Sequence, residues 1–126
     1  MDLGLKGKVA IITGGSDGIG KAAATSMATE GANVAIVGRT QSKLDAAIAD
    51  IKAESNGSVF GVAADVSIES DVQSMVKRVA AKFGGVDILV NNAGTSSATT
   101  LENMTDQDLK VDFGIKIYGA IYCARA

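Results

Sequence analysis

The chain contains no histidine, no proline, no tryptophan and one cysteine, Cys123. Without histidine, neither a Ser-His-Asp unit nor a Cys-His nucleophile can be assembled. One thiol and no imidazole exclude a Cys/His zinc site, and also a disulfide within the chain. No apolar run approaches the roughly 20 residues that cross a bilayer as a helix. Basic residues number 12 against 14 acidic ones, so the net charge of −2 provides no field for nucleic acid or an anionic membrane. Residues 1–8 mix charge with glycine and lead at once into a strand pattern, which does not read as a secretory signal. A soluble cytoplasmic protein is therefore expected. Glycine is the one residue in excess: 15 in 126 is about twice its usual share. Such a chain must turn tightly or admit a ligand to its backbone.

The length suits one domain, residues 1–126, with a single core. Four short apolar runs recur along it: Val9–Ile12, Val34–Val37, Val59–Ala63 and Ile88–Val90. Uniformly apolar runs this short fit strands covered on both faces, as in a parallel sheet. The segments between them carry helical stripes. The first is Ile19, Ala23 and Met27; the second is Leu44, Ala47, Ile48 and Ile51 behind an N-cap at Thr40. The third, capped by Ser67, is Ile68, Val72, Met75, Val76, Val79 and Phe83. This alternation predicts an α/β fold, a right-handed β-α-β-α-β-α-β-α winding of Rossmann type, with strand order 3-2-1-4.

The last segment offers two readings. Thr105 and Asp108 suggest a capping box, whereas the alternation Leu109 to Ile117 taken alone suits a half-buried strand. A fourth crossover is due after the fourth strand, so a helix is expected. Being apolar nearly all round, it needs partners on two sides, the sheet and a second chain. Ala126 falls inside an apolar helical pattern, and the domain is expected to stop short of a complete one.

Between the first strand and first helix lies Thr13-Gly14-Gly15-Ser16-Asp17-Gly18-Ile19-Gly20. A glycine-rich turn there leaves backbone N–H groups facing out of a helix N-terminus, where an anion is favoured. An unliganded glycine turn is the plain alternative. Gly15 to Lys21 also matches a phosphate-loop pattern, but Ala22 stands where a magnesium-binding hydroxyl is needed. A dinucleotide fold instead requires a ribose-reading residue at the end of the second strand. That strand ends in Arg39, with no acid at its tip, which suits the 2′-phosphate of NADP(H) more than the bare ribose of NAD(H).

Three ordered motifs, Thr13-Gly14-x-x-x-Gly18-x-Gly20, Ala64-Asp65-Val66 and Asn91-Asn92-Ala93-Gly94, follow three successive strands. In these the chain resembles the short-chain dehydrogenases/reductases, in the branch with T-G-x-x-x-G-x-G spacing. The resemblance implies that Gly14, Ser16, Asp17, Gly18 and Ile19 line the pyrophosphate and ribose. It implies that Arg39 takes the 2′-phosphate, Asp65 the adenine amino group and Val66 the adenine ring. Asn92, Ala93 and Gly94 bring backbone to the adenosine ribose and towards the nicotinamide. Asn91 is assigned a structural role, and Gly20 close helix–strand packing. The plainer readings are an Asp65 that binds loop amides and turn chemistry for the asparagines.

The resemblance also implies a hydride transfer between nicotinamide and a carbonyl or secondary alcohol, and a homo-oligomer. Yet the family's Tyr-x-x-x-Lys is missing: Tyr118 is followed four on by Tyr122, and Tyr122 by Ala126. Both tyrosines read as packing, and no catalytic residue is assigned. Lys116 stands where the family has an asparagine of its proton relay, and a lysine cannot reproduce an amide's donor–acceptor pair. A non-catalytic nucleotide-binding or regulatory module is the alternative function.

Overall fold

The computed structural model describes residues 2–94 and 99–126. Four strands, β1 (Val9–Thr13), β2 (Asn33–Gly38), β3 (Val59–Ala63) and β4 (Ile88–Val90), form one sheet in the order β3-β2-β1-β4. Every pairing is parallel, with Ile11 opposite Ala35 and Leu89, and Ile36 opposite Gly61. Helices α1 (Gly18–Thr29), α2 (Gln41–Glu54) and α3 (Glu69–Phe83) provide the crossovers. The expected α/β architecture and strand order are those observed.

Period-two alternation divides the core between the two faces of the sheet. Ile12, Val34 and Ile36 pack with Ala24, Ala28, Leu44, Ala47 and Ile51 of α1 and α2. Ile11, Ala35, Val37 and Val62 pack on the other face with Val72, Met75 and Val79 of α3. Both faces are covered, so the strands are apolar throughout.

Three sequence readings need correction. The face α1 turns to the sheet is centred on Gly20, Ala24 and Ala28, one residue beyond the expected stripe, while Ile19 is 82% exposed. Small residues let this helix approach the sheet closely, which a stripe of large side chains would prevent. Ser67 does not cap α3, whose N-cap is Ile68. The Ser67 hydroxyl and amide instead donate to Asp65 Oδ1, at 2.6 and 3.0 Å. Thr40 does occupy the N-cap of α2, but its side chain accepts no hydrogen bond there.

Residues 106–125 form one helical run, consisting of α4 (Asp106–Phe113), a π-helical segment Gly114–Gly119 and α5 (Ala120–Arg125). The Thr105–Asp108 capping box is present, and its hydrogen bonds hold the Asp108 carboxyl below the usual range. The π segment was not foreseen. It inserts a wider turn, and Ile115, Gly119 and Cys123 are all buried. Burial pushes the Cys123 thiol up. Gly119 abuts Val66, whose Cγ2 would lie 2.8 Å from an added Cβ. Leu109, Phe113, Ile117 and Ile121, four apart, stay 40–50% exposed. No described helix is long and apolar enough to cross a membrane.

Ile51→Ala, in the core between α2 and the sheet, is expected to lower unfolding stability by about 2–5 kcal/mol. Ile19→Ala is expected to change it by less than about 0.5 kcal/mol. Urea denaturation of the two variants checks the corrected face of α1.

Candidate nucleotide-binding site

The carboxyl ends of β1, β2 and β4 meet at Thr13, a buried residue whose hydroxyl ties two of them together. Its Oγ1 accepts from the amides of Asn92 and Ala93, each at 3.0 Å, and donates to the Val90 carbonyl at 3.4 Å. Beyond it the chain turns through Gly14, whose φ of +66° is in the left-handed region that favours glycine. The Gly14 amide donates to the Val37 carbonyl of β2 at 2.8 Å, and its own carbonyl accepts from Asn92 Nδ2 at 3.2 Å. An added Cβ at Gly20 would strike the Gly14 carbonyl and come within 2.5 Å of Asn92 Nδ2. Gly20 thus serves the close packing expected of it. The tying role expected of Asn91 falls to Asn92, since Asn91 is exposed while Asn92 makes these bonds.

The turn delivers the chain into α1 with its first amides open. Asp17 is the N-cap in extended conformation, yet its side chain makes no capping bond and the first turn carries no acid. The first intrahelical bond runs from the Lys21 amide to the Asp17 carbonyl. The amides of Gly18, Ile19 and Gly20 therefore have no acceptor within the helix, and the helix dipole adds positive potential there.

A cavity of about 580 Å³ opens at this edge. That is within the range of small-molecule sites. Gly14, Ser16, Asp17, Gly18 and Ile19 line one part of it. Arg39 stands at the tip of β2, Asp65 and Val66 follow β3, and Asn92, Ala93 and Gly94 follow β4. All eleven residues named from the sequence line this one cavity. Asp65 also bears out its plainer reading, because Oδ1 binds Ser67 as an Asx turn; its amide donates to Asp71 Oδ2 at 3.0 Å. Sequence reasoning missed Lys43, Thr40 and Ile115 on the lining, as well as Val37, Gly38 and Ala64. Lys43 was detectable, being one helical turn after Arg39 and just inside the predicted N-cap. Ile115 was not, because its inward aim depends on the π segment.

The tyrosines lie elsewhere. Tyr118 and Tyr122 have ring centroids 6.2 Å apart, and the Arg125 guanidinium sits 5.6 Å from the Tyr122 centroid, which is packing as expected. Lys116 is exposed, and its Cε lies 3.6 Å from where a Gly94 Cβ would be. It borders a smaller cavity of about 170 Å³ with Thr13, Asn91 and Ala93. Among the described residues no His/Cys/Asp/Glu cluster could hold a metal ion.

The family model for short chain dehydrogenases matches residues 8–126. The chain belongs to that family. Short-chain dehydrogenases similar to it include D-threitol dehydrogenase of Mycolicibacterium smegmatis, 37% identical over 99% of this chain and 48% of the relative. L-Sorbose reductase of Gluconobacter frateurii, solved with NADPH and L-sorbose, superposes with a TM-score of 0.92 at 41% identity. The match covers 99% of this chain and 48% of that one. A short chain dehydrogenase of Burkholderia cenocepacia solved with NADP gives a TM-score of 0.87 at 38% identity, over 96% and 49% of the two chains. The chain thus spans about half the length of the relatives it matches.

Thr13→Val keeps the shape of the side chain and removes the acceptor shared by two part-buried amides. It is expected to lower stability by about 1–3 kcal/mol. Hydrogen exchange is expected to accelerate at the Asn92 and Ala93 amides, while those of α2 keep their relative protection.

Proposed function

We propose that this protein binds NADP(H) in the 580 Å³ cavity and belongs to an oxidoreductase acting on a carbonyl or secondary alcohol. The observation that carries the reading is the gathering of all eleven expected residues around one cavity at the carboxyl edge of the sheet. The residues fit such a group. A Cβ at Gly14 would come within 3.0 Å of Ala93 Cα, so only a bare backbone leaves this floor open. The uncapped amides of α1 face the same space with no carboxylate in their first turn.

In this reading the amides opening α1 receive the pyrophosphate, by hydrogen bonding and the helix dipole together. Arg39 grips the 2′-phosphate through its planar fork of donors. Asp65 has committed Oδ1 to Ser67, so Oδ2 accepts from the adenine amino group, with Val66 against the ring. Asn92, Ala93 and Gly94 place backbone along the ribose, held there by Thr13. When bound, the dinucleotide supplies or removes a hydride at its nicotinamide ring. The proton that accompanies it must come from a residue other than Tyr118 or Tyr122, which pack against α5's own surroundings. The relatives solved with NADPH or NADP support this choice of cofactor, and those named for a sugar or polyol support the substrate class. The exposed stripe Leu109, Phe113, Ile117 and Ile121 supports self-association. The lack of a Tyr-x-x-x-Lys pattern in these 126 residues favours a second reading, nucleotide binding without catalysis.

Fluorescence titration is expected to give tighter binding of NADPH than of NADH. Arg39→Asp is expected to weaken NADPH by tenfold or more, on the order of 1.5–3 kcal/mol for lost charge-assisted bonds, with NADH changed far less. Tighter NADH binding by the unaltered protein, or an unchanged preference in the variant, overturns the cofactor assignment.

A further inference from the structure

Four helices begin at a loop, and their first turns differ in charge. Those of α3 and α4 carry the acids expected beside a positive dipole end, Glu69 and Asp71 in one and Asp106 and Asp108 in the other. The first turns of α1 and α2 carry none, and these are the two helices whose beginnings line the large cavity. At α2 the usual arrangement is reversed. Arg39 immediately precedes the N-cap and Lys43 is the third helical residue, so two cations stand at the end of a helix that already repels them. No carboxylate compensates them among the described residues, where the ion pairs are Lys21–Asp50 and Arg125–Glu69. Asp45, two positions beyond Lys43, accepts instead from Gln41 Nε2 at 2.8 Å. Nor does the Thr40 side chain satisfy the first amides of α2.

A wall of a solvent-filled cavity that gathers two unpaired cations is an electrostatic arrangement relieved by a multiply charged anion. We propose that Lys43 is a specificity-determining residue of this cavity, a second cation for the 2′-phosphate beside Arg39. The inference rests on the cofactor reading above and adds a residue to it. Arg39 and Lys43 divide the work by chemistry: the guanidinium gives directional paired donors, and the ammonium adds a mobile point charge. A doubly ionised phosphate monoester has enough charge and acceptors for both. A bare ribose has no charge for Lys43 to read, so the effect is confined to the phosphorylated cofactor.

The test compares Lys43→Met and Lys43→Arg with the unaltered protein, using NADPH, NADH, 2′,5′-ADP and ADP as probes. Lys43 is exposed, so both variants are expected to fold, which circular dichroism checks. Lys43→Met is expected to weaken NADPH and 2′,5′-ADP about five- to tenfold, leave NADH and ADP within about twofold, and flatten the salt dependence of NADPH binding. Lys43→Arg is expected to keep most of the NADPH affinity. Equal losses for NADPH and NADH, or no loss for either, overturn the role of Lys43 while leaving the cofactor reading intact. Failure of the unaltered protein to bind any of the four probes overturns the cofactor reading itself, and this inference with it.

Discussion

One hydroxyl oxygen governs the geometry of the site. Thr13 Oγ1 accepts from the first two amides beyond Asn91, at the point where β4 ends and can no longer pair with β1. A parallel sheet leaves the ends of its strands splayed, with backbone groups that must find partners. Thr13 provides them from within, so the chains after β1 and β4 run side by side. The Asn92 side chain completes the link by donating to the Gly14 carbonyl. With the two turns locked together, the remaining demand is space, and Gly14 and Gly20 meet it because any side chain there would strike the opposite turn. The cavity results from these few contacts.

The sheet was legible because both of its faces are covered. Strands in that position are apolar throughout, and β3 and β4 were delimited to the residue from that signal alone. Helix faces were less legible where small residues do the packing. In α1 the close approach uses Gly20, Ala24 and Ala28, which add little to a search for large apolar residues, whereas Ile19 is large and faces the cavity. The cap of α3 misled for a related reason. Ser67 is a good capping residue, but a nearby carboxylate, Asp65, competed for its hydroxyl and won.

The site was more legible than its surroundings, because the constraints on it are local. A turn with φ above zero, a charged strand tip and a paired-asparagine segment each leave a mark at a fixed place in the chain. Lys43 was missed because it belongs to the site only through the helical turn that brings it level with Arg39. Ile115 reaches the cavity through a π-helical segment, a feature that depends on how Gly114–Gly119 packs against Val66 and Ser67. The alternation from Leu109 to Ile117 pointed to a strand, but the Thr105–Asp108 box at the start of α4 marked the true element. A local cap thus outweighed a periodicity.

The central claim is that the uncapped amides at the start of α1 receive the diphosphate of an adenine dinucleotide. Amide chemical shifts, followed residue by residue during titration of the isotope-labelled protein with NADP+, test it most directly. The account predicts the largest changes at Gly14 and Gly18 to Gly20, with little change at Ser55 to Ser58 on the opposite edge of the sheet. Shifts concentrated at that opposite edge, or an α1 N-terminus that stays silent at saturation, would contradict it.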